Sequence, residues 1–474
     1  MSEYAYHEVP YRTVPGAKLH PDRLASVATL FGMKPAPVSA CRVLEIGCGS
    51  GANLIPMAYY LPGGRFTGVD LADRAVSEGK RVVNEIGLGN IGLLAMDLRE
   101  IGPEQGEFDY IIAHGVYSWV PPEVREGLMR VCRERLAPQG VACISYNTLP
   151  GRYVRTMLRE MMLYHTRDVA EPVTKMALAR DLMARLRDAR MVSGGWQPMV
   201  EEEVERALEG EDGWFYHDDL SSTNDAFYIR DFAAHARKHG LQYLGDAEAH
   251  TMFDVRNPLD WVKGDTIERE QYLDFLALRR FRFTLLCRED VELERPANPM
   301  RMDGFSFCSP ATRSEGQIEG LHSVSITEGA EAVTRVALAM GSVYPMPAAF
   351  DELLPFAGDR ETLRGVVFTL IASGFASFHV HDFRSMQGVN ERPRANRLAR
   401  WEAQRLGMVT YSNHMPFKTD PIVRTLIGLL DGTRDLDALV AGLANVEGAP
   451  PVEAIRGHLP RVLDHMARTG LLEA

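Results

Sequence analysis

The stretch Val43-Leu44-Glu45-Ile46-Gly47-Cys48-Gly49-Ser50-Gly51-Ala52-Asn53-Leu54 constrains the fold more than any other part of the chain. Its apolar start reads as a buried parallel strand, and its alternating glycines as the turn into a helix. Glycine is needed where backbone approaches a ligand closely or takes φ values that a Cβ forbids. The turn is therefore a ligand cradle. Its spacing, Glu-x-Gly-x-Gly-x-Gly, differs from the Gly-x-Gly-x-x-Gly that seats a pyrophosphate on a helix N-terminus, so it carries no phosphate signature.

Downstream, the pattern predicts a helix over Ala52 to Leu61, a strand over Arg65 to Asp70 and a helix over Asp73 to Ile86 with Val76, Val82, Val83 and Ile86 on one face. Strands follow at Gly92 to Asp97, Phe108 to Ala113 and Gly140 to Tyr146, the last after a helix over Glu123 to Leu136. Asp70 closes its strand 19 positions after Gly51, where nucleotide-type folds place the carboxylate that accepts both ribose hydroxyls. Capping the helix near Asp73 is the alternative use for it. The fourth strand runs into His114-Gly115-Val116-Tyr117-Ser118-Trp119-Val120-Pro121-Pro122, an aromatic loop that either faces a substrate or packs on the sheet.

Residues 151–222 read as helical, with Met157, Leu158, Met161 and Met162 on one stripe, and their exit holds His217-Asp218-Asp219-Leu220 and Asn224-Asp225-Ala226-Phe227-Tyr228. The sixth and seventh strands come only at Leu241 to Glu248 and Phe281 to Arg288. The expected fold is thus α/β, a seven-stranded Rossmann-like sheet interrupted by a helical insertion. Beyond a Pro-containing linker at Glu294 to Met300, short helices ending in strand pairs suggest two winged-helix-like α+β domains. The boundaries are 1–150 for the core, 151–222 for the insertion, 223–292 for completion of the core, and 293–390 and 391–474 for the two C-terminal domains.

Length and composition agree: 474 residues suggest two to four domains, and 46% hydrophobic with 24% charged content is that of a soluble globular chain. Apolar runs such as Val366 to Ala372 fall far short of the roughly 20 residues that span a bilayer. The leader holds Glu3, His7, Glu8 and three tyrosines where a signal peptide needs an apolar core, so a cytoplasmic protein without membrane insertion is expected. Cysteines 41, 48, 132, 143, 287 and 308 lack paired spacing, so neither zinc nor a disulfide framework is indicated. A formal charge of −12 argues against nucleic acid. From Glu391 onward eleven Lys/Arg stand against ten Asp/Glu, a balance that suits a protein-contacting module.

The glycine turn resembles motif I of the class I S-adenosylmethionine (SAM)-dependent methyltransferases. With it stand the tyrosine arm from Tyr4 to Arg12, Ala113 to Pro121, Ser145-Tyr146-Asn147-Thr148-Leu149-Pro150-Gly151, the His217 to Leu220 exit, Gln271 to Leu276 and Leu430-Asp431-Gly432-Thr433-Arg434. Together they are similar to bacterial methyltransferases with a methyltransferase regulatory domain, whose characterised members are lysine N-methyltransferases of an outer-membrane protein. Phe283 departs from that pattern, which leads one to expect a polar residue before Thr284. The resemblance implies a SAM site, with S-adenosylhomocysteine as product and no metal. It is formed by Tyr11, Glu45, Gly47, Gly49, Gly51, Asn53, Asp70, Leu71, Asp97, Leu98 and His114. The acceptor is expected to be a nitrogen of a protein or peptide, most naturally a lysine amine. Tyr117, Trp119, His217, Asp218, Asp219 and Tyr228 are the candidates around it: acids to capture and aim the chain, rings to desolvate the amine and lower its pKa. The insert acids can equally cap a helix. A small-molecule methyltransferase and a non-catalytic SAM-sensing regulator remain alternatives, as does assembly into a homodimer.

Overall fold

The computed structural model describes residues 9, 13–189, 197–253, 259–329, 331–383 and 388–473. Its centre is a sheet of β1 (Arg42–Ile46), β2 (Arg65–Asp70), β3 (Ile91–Ala95), β4 (Phe108–Ala113), β5 (Leu136–Thr148), β6 (Ala226–Phe227), β7 (Leu241–Asp246) and β8 (Phe281–Arg288). The strand order is β3-β2-β1-β4-β5-β8-β7, with β6 paired beside β5. Strands β1 to β5 are parallel, while β8 runs antiparallel between β5 and β7. Every residue of β4 is buried, as a strand covered on both faces requires.

Helices α1 (Pro21–Leu30), α2 (Leu54–Tyr60), α3 (Asp73–Ile86) and α4 (Pro122–Arg135) cover the parallel half. Strand β5 is longer at both ends than the sequence pattern predicts. Its far end, Asn147-Thr148, pairs with Ala226-Phe227, so the predicted exit segment of the insertion adds an eighth short strand at the sheet's ligand edge.

The insertion is α5 (Tyr153–His165), α6 (Pro172–Ala189) and α7 (Gln197–Glu209), closed by a π-helical turn at Phe215–Asp219. Leu158 and Met162 from the predicted stripe enter its core with Met176, Met183, Val200 and Val204, whereas Met157 is exposed. Helices α8 (Ile229–Lys238) and α9 (Thr266–Ala277) flank the return to the sheet.

Beyond β8, α10 (Glu331–Val343), α11 (Phe350–Ala357) and α12 (Arg360–Ala372) pack on a three-stranded sheet of Ser306–Cys308, Ala348–Ala349 and Ser377–His379. Their apolar residues merge with those of α1 and the central sheet into one cluster. The last domain has its own core, made by α13 (Arg397–Arg405), the hairpin Met408–Thr410/Pro416–Lys418, α14 (Pro421–Leu429), α15 (Leu436–Leu443) and α16 (Val452–Arg468). It docks on α2: the Tyr60 hydroxyl donates to Thr410 O at 2.9 Å and accepts from Asn396 Nδ2 at 3.1 Å. Among the described residues no helix is long and apolar enough to cross a membrane.

Candidate active site

The glycine turn lies between the carboxyl ends of β1 and β4, where strand order reverses and open α/β sheets bind ligands. Gly47 takes φ 76° and Gly49 φ 54°, both left-handed. A methyl on Gly47 would meet Val116 Cγ2 at 2.6 Å, whereas one on Gly49 would find no atom within 4 Å. The first glycine thus serves close packing of the β1 and β4 loops, and the second leaves room for a ligand. Gly51, at φ 76°, closes the turn over Leu93.

Glu45 is only 4% exposed, and its Oε1 accepts from Asn53 Nδ2 at 2.9 Å. Oε2 is buried without a hydrogen-bond partner. Burial raises this carboxyl from 4.5 to about 8. An orphaned carboxylate oxygen beside an open turn calls for a donor, and the α-ammonium of an amino-acid-like ligand is one. Asp70 Oδ2 accepts from Gly49 N at 2.7 Å and Oδ1 from Ala72 N at 2.8 Å. Each oxygen keeps a lone pair for a hydroxyl. Leu71 is 62% exposed, an apolar face free to cover a ring. Asp97 caps the turn after β3 through Arg99 N and forms a two-pronged pair with the Arg99 guanidinium, which holds its carboxyl below the ordinary value. Leu98 is half-buried beside it. Tyr11 lies outside the described residues.

Beyond β4, His114 Nδ1 lies 2.8 Å from Ser145 Oγ, and its ring stacks on Phe283 with centroids 5.5 Å apart. Phe281 touches His114, Phe283 and Trp119 edge-on or tilted, and Lys18 Nζ sits 5.1 Å above Phe283. The indole N–H of Trp119 is buried without a partner. Phe281 and Phe283 are part of this wall although neither is among the site residues expected from the sequence. The available signal was that an antiparallel β8 begins where β5 ends: Phe281 pairs with Asn147. Tyr228 stands at the rim, its hydroxyl 2.9 Å from that of Tyr153 and its ring 5.9 Å from Phe275.

Three expected site residues are not brought to the cleft. Tyr117 is 3% exposed, packed among Tyr146, Phe227 and Phe232, with its hydroxyl spent on His235 Nδ1 at 2.8 Å. Its loop folds back on the sheet because that pocket of rings buries a whole aromatic side chain. Asp219 is fully buried and held by Arg155 at 2.7 Å and Arg206 at 3.2 Å. Burial alone would raise its carboxyl, but the two guanidinia hold it below the usual carboxylate range. The Nε2 of His217 meets Val9 O at 2.7 Å. These groups brace the insertion. Asp218 differs: burial moves its carboxyl up to about 6, Arg155 is 3.8 Å away, and its backbone oxygen accepts from Asn224, which bonds Asn147 at the end of β5.

Three sequence-family models match this chain: a methyltransferase domain over residues 43–140, a predicted methyltransferase regulatory domain over 211–288, and a PKMT C-terminal winged helix domain over 391–448. An uncharacterised protein of Rickettsia prowazekii is 32% identical over 51% of this chain and 98% of its own length. The chain belongs to the SAM-dependent methyltransferases that carry this regulatory domain. A second uncharacterised R. prowazekii protein is 39% identical over 62% of this methyltransferase, which spans about half, 54%, of that relative. The solved structure of PKMT2 from Rickettsia typhi shares the fold, with a TM-score of 0.84 at 24% identity over 98% of this chain and all of that one, and was also solved in complex with AdoHcy. The regulatory-domain match falls on the end of the insertion and on β6 to β8, the segment that supplies Tyr228, Phe281 and Phe283.

Proposed function

We propose that this methyltransferase moves a methyl group from SAM to a lysine side chain of a protein or peptide. The observations that carry the reading are the rings of Trp119, Phe281 and Phe283 around His114 and a second run of ring contacts at the rim. Trp261 meets Tyr272 at 4.8 Å, Tyr272 meets Phe275 at 6.0 Å, and Phe275 meets Tyr228, bonded to Tyr153. Trp261, Phe275 and Tyr153 are exposed. A small molecule has no use for so long a rim, whereas a polypeptide does, because exposed contiguous aromatic surface marks interaction sites. The AdoHcy complex of R. typhi PKMT2 and the winged-helix domain named for that group support the same reading.

When bound, SAM supplies an electrophilic methyl on a sulfonium. The chain's own residues then have three tasks. Glu45 holds the ammonium, Asp70 the ribose hydroxyls, and Leu71 and Leu98 the adenine. The lysine must lose its proton first: with an unperturbed pKa near 10.4, neutrality at pH 7 costs about 4.6 kcal/mol. Trp119, Phe281 and Phe283 lower that cost by excluding water from the amine. To Asp218, whose carboxyl burial moves up to about 6, we assign the task of drawing the chain in and taking up the proton. Transfer then depends on in-line positioning.

Mass spectrometry of a lysate incubated with isotope-labelled SAM, with and without the protein, tests this. Label should appear on lysines of a protein band. Label confined to small molecules would overturn the lysine reading.

A further inference from the structure

The C-terminal domain reaches the cofactor cradle through a histidine side chain. The hairpin loop between Thr410 and Pro416 carries His414, and its Nε2 lies 2.8 Å from Asn53 Oδ1. His414 is 1% exposed and adopts φ 65°, a left-handed value that costs a side-chain-bearing residue free energy. The loop enforces it: His414 N donates to Tyr411 O at 2.8 Å, and Tyr411 N to Met415 O at 3.0 Å. Surrounding structure maintains such a conformation only where it is over-determined.

The amide of Asn53 is the junction of three chain segments. Its oxygen receives Gly16 N at 3.1 Å as well as the imidazole, and its nitrogen donates to Glu45 Oε1. Since Gly16 N can only donate, the oxygen must face it, and the His414 nitrogen there must be the protonated one. A reversed amide would set its NH2 against the Gly16 N–H. The hydrogen-bond directions therefore form a chain from His414 through Asn53 to Glu45, leaving Glu45 Oε2 as the acceptor that has no protein partner. At the other end of α2, Tyr60 is bonded by Thr410, Asn396 and Gly470 of the same domain. The helix that opens at the glycine turn is thus gripped at both ends by residues more than 330 positions away.

We propose that His414 is a positioning residue of the cofactor site: the C-terminal domain completes the cradle by locking Asn53, and through it Glu45, so that domain docking and cofactor binding are coupled. This rests on the SAM reading above. The coupling is reciprocal, so a bound cofactor tightens the hairpin loop against α2.

The test is calorimetry with S-adenosylhomocysteine on the full chain and on His414→Ala, His414→Gln, Asn53→Ala and the double variant. His414→Ala should weaken binding about tenfold, the scale of one buried hydrogen bond and its orphaned partner. His414→Gln, whose side-chain N–H can replace the lost donor, should recover most of it. In the Asn53→Ala background, His414→Ala should change affinity less than about twofold, whereas a merely structural residue would add its full loss again. Equal affinity in wild type and His414→Ala, or fully multiplying losses, overturns the proposal. Should His414→Ala fail to fold, hydrogen exchange on the wild-type chain decides: residues 411–415 should exchange more slowly with the ligand bound, and unchanged exchange overturns the coupling. A wild type that binds no S-adenosylhomocysteine overturns the cofactor reading itself.

Discussion

The glycine cradle and the exit of the helical insertion hold similar residue types, acids beside rings and histidines, yet the structure treats them in opposite ways. At the cradle, Glu45 Oε2 has no partner and Gly49 faces open space. At the exit, Asp219 is saturated by Arg155 and Arg206, and in the loop after β4 the Tyr117 hydroxyl is spent on His235. Polar groups that the fold pairs off among themselves hold the fold together, and those it leaves wanting mark where a ligand goes. Asp218, unlike its neighbour Asp219, keeps a carboxyl shifted towards neutrality and partial access to solvent.

The largest effect expected from this contrast is on Asp219. Asp219→Ala strands two guanidinia around a buried site, and breaking such a pair costs about 3–5 kcal/mol. Denaturant unfolding should show that loss, with the insertion affected and SAM affinity of the folded fraction nearly kept. A stable Asp219→Ala chain that turns over slowly would instead return Asp219 to the active site.

Asp70→Ala comes next. Losing two charge-assisted bonds to ribose should cost about 2 kcal/mol or more, hence SAM affinity should fall at least tenfold by calorimetry. Unchanged affinity in a folded variant would remove Asp70 from the site. A smaller effect is expected at Gly49, where Gly49→Ala places a methyl in the open space at φ 54°. Stability should drop about 1 kcal/mol and SAM affinity several-fold, because Ala resists the left-handed region and fills ligand room. A stability loss with full affinity would show that the space is not the ligand's.

The cradle was legible in the sequence because its signature is local: a strand, three spaced glycines and an acid 19 residues on arise within one βαβ unit. The seven main strands were legible for the same reason, since runs such as Phe108 to Ala113 and Phe281 to Arg288 are set by burial of neighbouring residues. What stayed hidden were pairings made across the chain. Nothing near Asp219 announces Arg155 or Arg206, and His414 is 361 positions from Asn53. Phe283, which departs from the family pattern, gained a meaning only when β8 proved to start beneath His114. A close stack of that ring on the His114 imidazole is a use no pattern of spacing encodes.

The smallest expected effect is a proton. Burial raises the Glu45 carboxyl from 4.5 to about 8 in the cofactor-free protein, so at pH 7 it is mostly protonated. An acid whose folded pKa is raised binds its proton more tightly in the folded state than in the unfolded one. Its contribution to stability is therefore greatest below pH 4.5 and is lost as pH rises towards about 8. An ammonium ligand favours the carboxylate, so binding SAM must expel that proton. Calorimetry near pH 7 in buffers of different ionisation enthalpy should show close to one proton released per SAM bound, and affinity should climb with pH until about 8. In Glu45→Gln, which keeps an acceptor oxygen but no titration, the proton release and the pH dependence of affinity should both vanish. A wild-type enthalpy that is the same in every buffer would mean that Glu45 is already ionised and paired before the cofactor arrives, and the contrast between a wanting cradle and a saturated insertion would fail at its most telling atom.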